Sequence, residues 1–234
     1  MPSFLKDITP FYGTGEKNQA GQSLEEFLNA YDPYRYKTPS CTTDAAVFCC
    51  SGELTSSLEG LKILLVKRSN HPTIGYWALP GGFIDLDENL DDTARRELQE
   101  ETGVENLVME QIGAYGDYDR DPRARVITTA YMAFVDEREV RVKAGDDAAD
   151  AVWCSVSMER KETSEETGVL RRVYVLHFVN EEKNLDTSAE VLHICHKGLI
   201  REEKFKAVKR GMIAGDHAAI IAQAMTILKG RLSD

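Results

Sequence analysis

Apolar positions along this chain recur with two distinct periods. DAAVFCC and LKILLVKR are short, nearly continuous apolar runs joined by the polar SGELTSSLEG, which predicts two strands and a hairpin. LVMEQIG and RVITTAYMAFV predict two more strands around the turn-rich AYGDYDRDPRA, and DAVWCSV predicts another. Helical spacing appears twice. Leu90, Ala94 and Leu98 recur every fourth residue between Asn89, a suitable N-cap, and Gly103, a suitable C′ residue. Near the end, Ile220, Ile221, Ala224, Met225 and Leu228 form one apolar face of a helix that Asp216 can cap.

The first 40 residues read differently. Ser23 and Glu26 have the spacing of a capping box before a short helix, and Pro33 and Pro39 mark an extended connector. Residues 1–40 are therefore expected to be an extension, followed by a domain over 41–234. From about 157 to 212 the pattern weakens. There ERKETSEETG reads as a solvated charge run, and RRVYVLHFV with AEVLHICHKG as an extra antiparallel hairpin inserted before the last helix.

At 234 residues, 42% hydrophobic and 29% charged, the chain can bury a full core. No apolar run approaches the roughly 20 residues that span a bilayer, and MPSFLKDITP lacks the basic start and apolar centre of a secretory signal, so a cytoplasmic protein without a membrane partner is expected. The five cysteines show no paired CxxC spacing, which suits reduced thiols. A net charge of −11 argues against a general nucleic-acid backbone binder. If the substrate is a phosphate compound, such a chain needs a source of positive charge, and bound metal is the obvious one.

That argument meets the sequence in GGFIDLDENLDDTARRELQEETGV, residues 81–104, where carboxylates far outnumber Arg95 and Arg96. At about 100° per residue, Glu97, Glu100 and Glu101 share an arc of roughly 100° beside the apolar stripe. Like charges at three- and four-residue spacing repel, more so against a packed surface. Arg96 can reach Glu100 one turn on and Glu88 in the preceding loop, yet one guanidinium does not neutralise four carboxylates. Hard divalent cations would, and oxygen-rich clusters suit Mg²⁺ or Mn²⁺. Gly81 and Gly82, after Pro80, let backbone approach a ligand closely.

The spacing of Gly82, Glu88, Arg96-Glu97-Leu98, Glu100-Glu101 and Gly103-Val104 fills every specified position of the Nudix signature, and the chain resembles the Nudix hydrolases over about residues 41–155 and 216–231. The resemblance implies an α/β/α sandwich with a mixed sheet, and Mg²⁺- or Mn²⁺-dependent hydrolysis of a nucleoside diphosphate linked to another group. It implies that Glu97, Glu100 and Glu101 bind metal, that the Gly81 carbonyl adds a ligand, and that Glu88 and Arg96 brace the loop against the helix. The general base varies in this family; Asp146, Asp147 and Asp150 are candidates here, with a plain turn role as the alternative.

PSCTTDAAVF, GAYGDYDRDPRARVITTAY, GDDAADAVW and GDHAAIIAQAM are similar to the bacterial ADP-ribose pyrophosphatase branch. That resemblance implies cleavage of ADP-ribose to AMP and ribose 5-phosphate, and a homodimer. Other nucleotides (oxidised nucleoside triphosphates, NADH, sugar nucleotides) and a non-catalytic ADP-ribose sensor stay open. Arg120, Arg123 and Arg125 offer guanidinium forks for a phosphate, or else pair with Asp117, Asp119 and Asp121. Tyr34, Tyr36, Tyr115 and Tyr118 are candidates to line an adenine slot, or pack at loop edges. His193, Cys195 and His196 are expected to be structural, because neighbours alternate across a strand.

Overall fold

The computed structural model describes residues 4–138, 142, 148–196, 198–200 and 202–233. It divides into two compact units, Met1–Pro39 and Ser40–Asp234. In the first, helix α1 (Leu24–Ala30) starts at the expected capping box, with Ser23 accepting from the Glu26 amide and Glu26 accepting from the Ser23 amide. None of the α1 residues is buried.

The second unit is built on one mixed sheet. Its strands are β1 (Ser40–Cys50), β2 (Leu61–Arg68), β3 (Trp77–Ala78), β4 (Gly81–Phe83), β5 (Glu110–Tyr115), β6 (Val126–Asp136), β7 (Ala148–Glu166), β8 (Val169–Asn180), β9 (Leu185–His196) and β10 (Glu202–Lys209). The order is β10-β9-β8-β7-β2-β1-β6-β5, with β3 against β2 and β4 against β1. β1 and β2 form the expected antiparallel hairpin, with Phe48 opposite Ile63. β1 and β6 run parallel, which makes the sheet mixed.

Helices α2 (Leu90–Thr102) and α3 (His217–Arg231) cover opposite faces. Alternation along β1 shows it: Ala46 and Phe48 join the core that contains Ile220, Ile221, Met225 and Leu228 of α3, whereas Ala45, Val47 and Cys49 join Ala94 and Leu98 of α2. This is the α/β/α sandwich that the resemblance implies. α3 is more deeply set than one apolar face would require, since Ala218, Ala219 and Ala222 are buried too. Leu90 is 36% exposed, and Thr93 and Thr102 are buried in α2 beside the expected stripe.

The region after residue 157 departs most from expectation. ERKETSEETG is exposed throughout, as a solvated charge run, but it is strand: residues up to Glu166 extend β7, and Thr167 and Gly168 close a tight turn into β8, both with positive φ. Charged residues exposed on both faces leave no alternation to detect, and the strand is imposed by backbone pairing with β8. β8 and β9 do pair antiparallel, from Val169–His196 to Asn180–Leu185, but they continue the same sheet, and β10 extends it further. No helix among the described residues is long and apolar enough to cross a membrane. All five cysteines are free, with Cys49, Cys154 and Cys195 buried.

Candidate functional site

β4 pairs with β1 so that Gly81 lies opposite Asp44 and Gly82 opposite Thr43, which carries the Gly-Gly turn to the edge of α2. There the backbone meets carboxylates directly. The Gly81 amide donates to Glu101 Oε2 at 2.9 Å. A Cβ at Gly82 would stand 2.4 Å from the Glu97 carboxyl carbon, so the missing side chain is the space Glu97 occupies. Glu97 and Glu101, one turn apart, open into a cavity of about 710 Å³ lined also by Asp44, Gly81, Gly82, Phe83, Arg120, Arg123, Asp216 and His217.

Arg96 holds the flank in register. Its guanidinium grips Glu88 with two bonds, Nε to Oε1 at 2.8 Å and Nη2 to Oε2 at 2.9 Å, and Nη2 also donates to the Phe83 carbonyl at 3.1 Å. Nη1 donates to Glu97 Oε1 at 2.7 Å and to Glu100 Oε2 at 3.1 Å. The loop before the helix is thereby pinned to it, and Thr93 donates a further bond to Glu88 at 2.7 Å. The Arg96 bonds hold Glu88 down to about 2, well below the usual carboxylate range. Burial, by contrast, raises Glu97 in spite of Arg96. Burial also pushes Glu101 up to about 7, outweighing the Gly81 bond that favours its anion.

These donors fit a hard divalent cation. All are carboxylate oxygens, two of them are driven toward protonation by burial, and the glycine cradle lets them converge without a side chain between. Glu100 is less committed: its side chain is 60% exposed and does not line the cavity. Of Gly81 it is the amide, bonded to Glu101, that the structure engages.

The substrate-side expectations fare unevenly. Arg120 is not an open fork. It reaches across 96 residues to Asp216 with bonds of 2.9 and 2.8 Å and has Asp44 at 3.6 Å, with its side chain 7% exposed. The sequence left it either a phosphate or a partner among Asp117, Asp119 and Asp121, and offered Asp216 as the cap of α3; instead Asp216 sits at the N-cap position with its side chain bonded to Arg120 and making no cap bond. Arg123 does pair with Asp121 and lies over the Phe83 ring, 5.3 Å from its centroid. Arg125 donates to the Gly116 and Asp117 carbonyls. Tyr118 is 82% exposed and outside the cavity lining. Tyr115 is half-buried with its hydroxyl on Gln223 at 2.6 Å, so neither tyrosine forms a slot here.

Asp150 binds Lys183 at 2.5 Å and does not line the cavity, whereas Asp146 and Asp147 fall outside the described residues. His193 stacks on Phe205 at 4.2 Å and, with Cys195 and Glu203, groups potential metal ligands within 4.8 Å; His196 is exposed and apart from them. Arg172, the register partner of His193, projects from the same face, so a cation is already built in beside them. Two cavity residues were given no role by the sequence: Asp44 and His217 lie within PSCTTDAAVF and GDHAAIIAQAM, stretches that served there only for their resemblance.

A family model described as NUDIX domain matches residues 45–159. The ADPR responsive transcriptional repressor NtrR of Acinetobacter baylyi is 41% identical over 116 residues, covering 48% of this chain and 44% of that protein. The ADP-ribose pyrophosphatase of Methanocaldococcus jannaschii is 46% identical over 90 residues, covering 38% and 52% respectively. The chain thus spans about half the length of these curated relatives. Among solved structures, a MutT/nudix family protein from Enterococcus faecalis aligns with a TM-score of 0.62 and 29% identity over 88% of this chain and 70% of that one. The NUDIX domain of Shewanella oneidensis NrtR, solved with ADP ribose, aligns with a TM-score of 0.50 and 36% identity over 56% of this chain and 82% of that one.

Proposed function

The chain belongs to the Nudix family, and on that premise we propose that it is a metal-dependent hydrolase cleaving ADP-ribose to AMP and ribose 5-phosphate. The observation that carries this reading is the convergence of Glu97 and Glu101 on one cavity over the Gly82 gap. Glu97 and Glu101 would hold Mg²⁺ or Mn²⁺ together with the Gly81 carbonyl, while Glu100 stays outside the cavity, bonded to Arg96. Bound there, the metal supplies neutralisation of the pyrophosphate oxygens and an acidified water.

The chain's own residues do the rest. Arg96 and Glu88 keep the loop fixed to α2, so the two glutamates are held before any ligand arrives. Phe83, with Arg123 across its ring, offers an aromatic wall for a base. Support for ADP-ribose comes from the pyrophosphatase and ADPR-responsive relatives and from the ADP-ribose complex of a similar domain. A homodimer belongs to the same proposal.

The resemblance to a repressor favours a second reading, an ADP-ribose-binding regulator without turnover. One experiment separates them. Purified protein with Mg²⁺ and a panel of nucleoside diphosphate compounds is assayed for AMP release, alongside Glu101→Gln and an EDTA control. Release of AMP from ADP-ribose that both the variant and EDTA abolish supports the enzyme. Tight ADP-ribose binding with no product over hours assigns the regulator.

A further inference from the structure

Part of the cavity lies outside the family-matched span. Ala214, Gly215, Asp216 and His217, on the entry to α3, line it together with Gly81 and Glu101. Of these, His217 has the most constrained chemistry. Its Nδ1 accepts a hydrogen bond from the Leu79 amide at 2.9 Å. A backbone N–H can only donate, so Nδ1 must carry a lone pair, and the ring proton is on Nε2.

That Nε2–H has no hydrogen-bond partner among the described residues. Its nearest carboxylate oxygen is Asp44 Oδ1 at 3.8 Å, beyond hydrogen-bond range. Asp44 Oδ1 in turn stands 3.0 Å from where a Cβ of Gly81 would be, which sets the Nε2–H beside the turn whose amide binds Glu101. A polar donor at the cavity wall, its ring fixed from behind by backbone and its proton facing inward, is arranged to receive an acceptor that the chain does not supply. The carboxyl groups of Asp44 and Glu101 already crowd this pole, so the acceptor is an oxygen that arrives with its own counter-charge.

We propose that His217 is a substrate-binding residue that donates its Nε2–H to a phosphate oxygen of the nucleotide's pyrophosphate. The assignment rests on the pyrophosphatase reading of the cavity. It makes the entry to α3, and not the loop arginines Arg120 and Arg123, the protein's own hydrogen-bond donor to that group.

Two substitutions divide the ring's functions. His217→Asn keeps an acceptor near the Nδ1 position for the Leu79 amide and removes the inward donor. His217→Gln restores a donor near the Nε2 position and gives up the Leu79 bond. With ADP-ribose and Mg²⁺, the expected result is a KM about tenfold higher for His217→Asn at unchanged thermal midpoint, the loss of one hydrogen bond to a charged group. His217→Gln should keep KM within about threefold of wild type while its thermal midpoint falls. The reverse pattern, with KM unchanged in His217→Asn, overturns the proposal. So does a long-range ¹H–¹⁵N spectrum of the free protein that places the ring proton on Nδ1. If the wild type binds ADP-ribose without hydrolysing it, the pyrophosphatase reading fails, and calorimetric Kd replaces KM: about tenfold weaker binding by His217→Asn supports the donor, and equal binding overturns it. Absence of both binding and turnover in the wild type overturns the reading and the donor together.

Discussion

Gly82 and Glu97 fit each other so closely that a Cβ on the glycine would stand 2.4 Å from the carboxyl carbon. The obstruction is the far end of a flexible side chain, so Gly82→Ala should fold normally and displace Glu97. Misplacing a reacting constellation by about an ångström costs about a hundredfold in rate. The expected outcome is a turnover loss of that order with a urea midpoint close to wild type. Gly81 provides the contrast, because a Cβ there would meet the Thr43 carbonyl oxygen at 2.0 Å. Gly81→Ala must move backbone, and should lose stability as well as activity.

The buried carboxyl of Glu101 makes a pH prediction whose sign differs from the common acidic case. Its folded value is raised to about 7 from a reference of 4.5, so between those values the native state holds a proton that the unfolded chain has lost. Without metal, this group's contribution is fully present below about pH 4.5 and declines as pH rises from there to about 7, by about 3 kcal/mol at most. Glu101→Gln removes the ionisation and keeps an acceptor for the Gly81 amide. Metal-free Glu101→Gln should therefore melt higher than the metal-free wild type at pH 8 and at nearly the same temperature at pH 4, as calorimetry would show.

Arg96 makes five polar contacts, four with carboxylates of Glu88, Glu97 and Glu100 and one with the Phe83 carbonyl. A lysine keeps the charge but cannot span Glu88 and Glu97 together. Arg96→Lys is expected to lower turnover by about tenfold or more and to weaken Mg²⁺ binding, measured by kinetics and by metal titration. Glu88 should lose its protection against protonation as well. Its folded value, depressed to about 2, gives stability above about pH 4.5 that is lost as pH falls toward 2, and acid unfolding of Arg96→Lys should start at higher pH.

Arg120 and Asp216 form a buried pair whose rupture strands a guanidinium that is 7% exposed. Asp216→Ala leaves Asp44, at 3.6 Å, as its remaining ion-pair partner among the described residues, with Asp121 acting from further away. A loss of about 3 kcal/mol is expected, since removing one partner of a buried pair uncovers the other's desolvation. Urea unfolding should show a lower midpoint at unchanged slope. An Asp216→Ala protein of wild-type stability would mean that the pair does not anchor the loop to α3.

Local signals made much of this protein legible in its sequence. The Ser23–Glu26 box, the Asn89–Gly103 bounds of α2, the β1–β2 hairpin and the crowding of Glu97, Glu100 and Glu101 on one flank all depend on residues a few positions apart, where backbone period is decisive; Asn89 holds the N-cap position of α2, but its side chain makes no cap bond and donates to Asp92 instead. The pairing of Arg96 with Glu88 belongs to the same class. Tertiary structure decided the rest. Glu159–Glu166 became strand only because β8 lies alongside; Asp216 gave up its cap for a guanidinium 96 residues away; and Asp44 and His217 came to face the glutamates because β1 and the start of α3 meet there. Such pairings are settled by desolvation of charges across folded elements, and that energy has no period along the chain for a sequence to display.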